Sequence, residues 1–206
     1  MEIFLGVLFL AYMALFPLVN PVGAIPVFCS LTANSTNEQR KKAALKTAIN
    51  VFFILLVFYL IGEFLLDFFG ISLGVLKIAG GFIVANTAWE LVTGKKKLST
   101  EEQNEVQTKN DISFTPMALP LLSGPGSIGV AIGLSIPGSQ IDYTFAIIAG
   151  ILLIAITVYI SLMLSLPLFK LLGKTGVGVL NRIMGFFILA IAVQLIVNGI
   201  FMLFPK

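Results

Sequence analysis

Between Ile3 and Asn37 the chain runs for 35 residues without a charged side chain. As one α-helix at about 1.5 Å per residue, that stretch would be about 50 Å long, whereas roughly 30 Å suffices to cross the hydrocarbon of a bilayer. It must bend or break, and its prolines and glycines say where. Pro21 has no N–H to offer the carbonyl of Pro17, Pro26 has none for Val22, and Gly23 weakens the turn between them. Asn20 is a favoured N-cap and Pro21 a favoured first helical residue, so a second helix is expected to start there.

The same device returns 103 residues later. Pro17-Leu18-Val19-Asn20-Pro21-Val22-Gly23-Ala24-Ile25 is echoed by Pro120-Leu121-Leu122-Ser123-Gly124-Pro125-Gly126-Ser127-Ile128. Here Pro125 frees the carbonyl of Leu121, Gly124 and Gly126 flank it, and Ser123 supplies a capping hydroxyl. A second echo follows at an offset of 105, where Lys77-Ile78-Ala79-Gly80-Gly81-Phe82-Ile83 aligns with Arg182-Ile183-Met184-Gly185-Phe186-Phe187-Ile188. With 58% hydrophobic and 11% charged residues, the chain exceeds what one water-soluble core can hide. Apolar stretches of spanning length lie near 3–32, 43–67, 70–93, 112–137, 143–169 and 177–204. They are continuously apolar, as from Val51 to Ile61, and do not alternate as barrel strands would. The expected fold is all-α: six transmembrane helices arranged as two inverted three-helix repeats, 1–93 and 112–206, joined by a linker, 94–111, with the first and fourth helices discontinuous.

Charge sets the orientation. The connections around 33–46, 94–111 and 170–182 carry eleven of the thirteen Lys and Arg residues, leaving Lys77 and Lys206 for the other side. Basic residues accumulate in short cytoplasmic loops, so a multi-pass cell-membrane protein with both termini outside is expected. The net charge of +3 is thereby a matter of loops, and nucleic acid is not an expected partner. Met1-Glu2 lacks a basic leader region, so the first stretch reads as a retained helix. In the linker, Ser99-Thr100-Glu101-Glu102 has the pattern of a helix cap. Cys29 is the lone cysteine and reads as a packed thiol.

Helix breaks in lipid survive only where protein or a cavity covers the freed backbone, and two of them at matching places in two repeats point to a transporter's substrate site. In inverted repeats the second halves of the broken helices start at mid-membrane, and their amino-terminal ends converge. Such ends carry free N–H groups and partial positive charge suited to a carboxylate; the preceding half-helices end in carbonyls suited to an ammonium group. A small zwitterion fits both. The candidate substrate residues are Asn20, Pro21, Gly23 and Ala24 with Ser123, Gly124, Gly126 and Ser127. Glu90, with Asn86 one turn before it, is the candidate for a coupling ion, H+ or Na+, since an acid within a spanning segment marks function by default. Gly129 with Gly133, and Gly70 with Gly74, read as helix-packing pairs, and Asn50, Gln194 and Asn198 as hydrogen-bonding links between helices. With no histidine and no deep acidic pair, neither an enzyme nor a metal or other cofactor is expected. Oligomeric state is left open. A small-solute channel with half-helix pore motifs is the alternative, although there the motifs occupy re-entrant loops after the second helix.

On these motifs, above all Asn20-Pro21-Val22-Gly23-Ala24-Ile25-Pro26 and Ala118-Leu119-Pro120-Leu121-Leu122-Ser123-Gly124-Pro125-Gly126-Ser127-Ile128, the sequence resembles the MarC/SnatA family of bacterial and archaeal membrane proteins. The similarity covers essentially the whole chain, including its length, six helices and polar central loop. The resemblance implies transport of small neutral amino acids such as glycine and alanine, with both breaks forming the site.

Overall fold

The first long helix stops where the sequence expects it to stop, and the others follow from caps and breaks of the same kind. The computed structural model describes residues 2–94, 111–135 and 141–204. In order the helices are α1 (Glu2–Val19), α2 (Ile25–Leu31), α3 (Asn37–Phe69), α4 (Leu73–Thr93), α5 (Ser113–Leu122), α6 (Pro125–Gly133), α7 (Ile141–Met163) and α8 (Ser165–Leu203). Among the described residues there is no strand. Helices α1, α3, α4, α7 and the Thr175–Leu203 part of α8 are each long and apolar enough to cross a membrane, and α5 with α6 forms a sixth, bent by 67°. The linker cap at Ser99-Thr100-Glu101-Glu102 lies outside the described residues.

Helix boundaries differ from expectation in three places. The helix after the first break starts at Ile25, four residues beyond Pro21. Pro26 has no N–H for the Val22 carbonyl, and Ile25 N–H donates to it instead at 3.1 Å, closing a tighter turn. Helix α3 begins at Asn37, not near 43, because Thr36 and Gln39 cap it reciprocally: Gln39 N–H donates to Thr36 Oγ1 and Thr36 N–H to Gln39 Oε1, at 3.3 and 2.9 Å. The basic segment from Arg40 to Lys46 is therefore helix, not loop. Third, the chain turns at Leu164, not near 170, and α8 starts at Ser165 with Pro167 in its first turn, where a missing N–H is tolerated. Gly173, at φ 63°, then breaks α8 before its spanning part.

Two separate apolar clusters result. The larger joins α1, α2, α3, α5, α6 and α7 around fully buried Leu15, Phe28, Leu55, Met117 and Ile151. The smaller joins α4 and α8 through Val84, Ala88, Leu91, Ile188 and Ala192. Glycines let α4 and α8 approach closely. A methyl group at Gly74 would come within 3.0 Å of the Gly199 carbonyl, one at Gly81 within 2.9 Å of the Ala192 carbonyl, and one at Gly185 within 3.1 Å of the Ala88 carbonyl. Positions rise on one helix as they fall on the other, so the two run antiparallel. Of the expected glycine pairs, Gly74 packs in this way, whereas Gly70 is the left-handed cap of α3 and Gly129 faces open space. Gln194 bonds Asn198 along α8 at 2.8 Å instead of linking helices. A polar link that does join two spanning helices is the hydroxyl pair of Tyr12 on α1 and Thr157 on α7, 3.3 Å apart.

Candidate functional site

At the first break the chain leaves α1 through Asn20, whose φ of 47° lies in the left-handed region that asparagine tolerates better than most residues. Its carboxamide oxygen accepts the Gly23 N–H at 3.0 Å and so holds the turn. Gly23 has to lack a side chain, because a methyl group there would overlap that carboxamide. The carboxamide nitrogen is buried and, among the described residues, has no partner.

At the second break α5 is wound loosely. Thr115 and Leu119, each preceding a proline, take extended backbone angles, as the ring of a following proline demands. Ser123 N–H then reaches back five residues to the Ala118 carbonyl at 2.7 Å. Helix α6 starts with Gly124 as N-cap and Pro125 as first residue. Ser123, expected to cap it, does not: its hydroxyl is fully buried and, among the described residues, unpartnered. Ser127 does not cap it either, since its hydroxyl donates to the Gly124 carbonyl at 2.9 Å and accepts no N–H of the first turn. The N–H groups of Gly126 and Ser127 lie in the first turn of α6, where the helix itself supplies no acceptor.

The two breaks meet at a cavity of about 210 Å³. Asn20 lines it from the first break, Gly124, Gly126 and Ser127 from the second, and Glu90 from α4. Pro21, Gly23 and Ala24 are buried behind the first break and Ser123 behind the second, outside the lining. Asn86 is exposed and touches the site through Glu90, donating from Nδ2 to Oε1 at 3.3 Å. The lining also contains Thr87, Val84 and Ile83, which share a face of α4 with Glu90 and are recoverable by counting back along the helix. Leu18 and Leu121 line it together, as do Ile83 and Ile188, and these pairs are the aligned positions of the two sequence echoes. Among the described residues Glu90 is the single ionisable side chain in the lining. Gly126 packs against α4 so closely that a methyl group would overlap Val84. Among the described residues no His, Cys, Asp and Glu side chains group as a metal site.

The model of the MarC family integral membrane protein matches residues 5–204. The chain belongs to the MarC family. Its relatives there include the UPF0056 membrane protein of Methanocaldococcus jannaschii, 39% identical over 93% of this chain and 94% of that one. The UPF0056 membrane protein YhcE of Escherichia coli is 36% identical over 97% and 94%, and YvbG of Bacillus subtilis 34% identical over 94% of each. No solved structure matches the chain. This MarC-family chain is thus a multi-pass integral membrane protein, and both of its broken helices fall within the matched region.

Proposed function

We propose that the protein is a secondary active transporter of small neutral amino acids, glycine and alanine in the first place, which carries its substrate between the broken helices without covalent chemistry. The observation that carries this reading is the cavity between both breaks, with one carboxylate on its α4 wall and the start of α6 on another. The partial positive charge and N–H groups of Gly126 and Ser127 suit the substrate carboxylate. Glu90 suits its ammonium group, and the coupling H+ or Na+ competes for the same carboxylate. At about 210 Å³ the space favours a small solute over a large one.

The paired lining positions, Leu18 with Leu121 and Ile83 with Ile188, support an inverted repeat whose local two-fold axis passes near the cavity. The antiparallel α4–α8 pair and the Lys and Arg distribution support the same arrangement, with both termini outside the cell membrane. One net charge moved in exchange for each solute would draw about 2.3 kcal/mol from a potential of about 100 mV, or roughly fifty-fold accumulation.

The test is uptake of labelled glycine into proteoliposomes under separately imposed proton and sodium gradients. Saturable, gradient-driven accumulation that excludes aspartate and lysine is expected, with Glu90→Gln losing at least ten-fold in apparent affinity and no longer responding to the gradient. Non-saturating flux indifferent to either gradient would overturn the reading in favour of a channel.

A further inference from the structure

A second concavity lies between α3 and α7 and shares no lining residue with the first. It encloses about 220 Å³ and is lined by Leu45, Ile49 and Phe53 with their neighbours on α3, and by Leu152, Ile156 and Tyr159 on α7. Every lining side chain is aliphatic or aromatic. Leu45, Ile49, Phe53, Leu152 and Ile156 are among the large exposed apolar residues, so the groove opens sideways into what is hydrocarbon for a membrane-spanning helix.

Its two ends are chemically different. Consecutive spans alternate in direction, so α7 runs antiparallel to α3, and Leu45 and Tyr159 mark one end while Phe53 and Leu152 mark the other. Lys41 and Lys42 lie four and three residues before Leu45, on the same face of α3, and both are exposed. Side chains on a helix tilt toward its N-terminus, which here aims both lysines beyond the groove, toward the membrane boundary. Tyr159 has the apolar ring and polar tip of a residue at that depth. Lys46 is otherwise engaged, in an ion pair with Asp111 at 2.6 Å, and Arg40 donates to the Thr32 carbonyl at 2.7 Å.

We infer that this groove holds one acyl chain of an anionic phospholipid, with the phosphate between Lys41 and Lys42. Apolar groove, amphipathic tyrosine and paired cations follow one another in the order chain, glycerol region and headgroup of a lipid. Positive charge at a spanning helix end, beside an interhelical groove, is the arrangement that selects acidic over zwitterionic headgroups. The site is independent of substrate transport.

Native mass spectrometry of the purified full chain tests it, with phosphatidylglycerol and phosphatidylcholine of identical acyl chains offered in equal amounts. The wild type should retain the anionic lipid with roughly ten-fold preference, and Lys41→Gln/Lys42→Gln should bring that preference close to unity. Inorganic phosphate should not displace the lipid, and short-chain phosphatidylglycerol should be retained poorly, since the acyl chain supplies the fit. Equal retention of both lipids, or a preference unchanged in the double variant, would overturn the assignment. So would stable lipid-free dimers whose formation depends on Ile49 and Ile156, which would give the groove to a second copy of the chain.

Discussion

Ser123 and Ser127 are one turn apart, yet one hydroxyl has a partner and the other has none. A buried hydroxyl left unpaired costs about 1 to 3 kcal/mol. Ser123→Ala is therefore expected to leave thermal stability unchanged or raised, and to leave glycine affinity within about two-fold, as read by thermal unfolding and by binding in detergent. A ten-fold loss of affinity would instead bring that hydroxyl into the substrate site. Gly126 is the opposite case. Its missing side chain is what lets α6 lie against Val84, so Gly126→Ala should destabilise by about 1 to 3 kcal/mol through overpacking. Val84→Ala in the same chain should restore most of the loss, because it removes the group that the new methyl meets; unfolding midpoints of the single and double variants decide it.

Between elements, α3 is tied to α5 by Lys46, whose ammonium bonds Asp111 at 2.6 Å, while Asp111 also accepts from the Ser113 hydroxyl and N–H. These bonds, Lys46 first, lower the Asp111 pKa to about 2, against about 3.9 for an aspartate in an unfolded chain. A depressed carboxylate stabilises the fold above its unfolded pKa, so the contribution is complete above about pH 4 and fades as pH falls toward 2. Both side chains are about half exposed, which limits the pair to about 1 kcal/mol. Asp111→Asn should lower the melting temperature slightly at pH 7, with the difference from wild type shrinking as pH falls through that window. Differential scanning fluorimetry across pH measures it.

The helix breaks were legible because proline acts locally: Pro21 and Pro125 lack the N–H that a continuous helix would need there, whatever surrounds them. Where the next helix restarts was less so. Pro21 and Pro26 carry the same start signal, and the missing Pro26 N–H decides in favour of Ile25. That Ser123 leaves α6 uncapped depends on the path of a loosely wound α5, which residue types alone do not specify. The second span, read from apolarity, also began too late, since Arg40 to Lys46 is helix by virtue of the Thr36–Gln39 cap and not of hydrophobicity.

Across the whole molecule, the two echoes in the sequence picked out positions that line the cavity in pairs, Leu18 with Leu121 and Ile83 with Ile188, but not that α4 would close it. That wall is a tertiary fact. Glu90 flagged it as an acid within a span, and Ile83 with Ile188 marked it as aligned positions, yet no local rule brings α4 opposite Asn20. The acid itself has no counterpart, since the position 105 residues on is Leu195, so among the described residues the cavity has an ionisable side chain on its α4 wall alone.

The glycine-faced contact between α4 and α8 also fixes an order of events during synthesis. Helix α4 leaves the ribosome early, but Gly74 and Gly81 meet their partners only on α8, the last helix along the described chain. Until then the partner α4 has is α6, where Gly126 meets Val84. Residues 2–163 made without the rest should enter the membrane but leave α4 open to protease, and co-expressing 165–204 as a separate piece should protect it and co-purify with it. Failure of the two pieces to associate would mean that α4 finds its place without α8. On the order seen here, the pocket is among the last features of the protein to come into being, completed by a helix that contributes one residue, Ile188, to its lining.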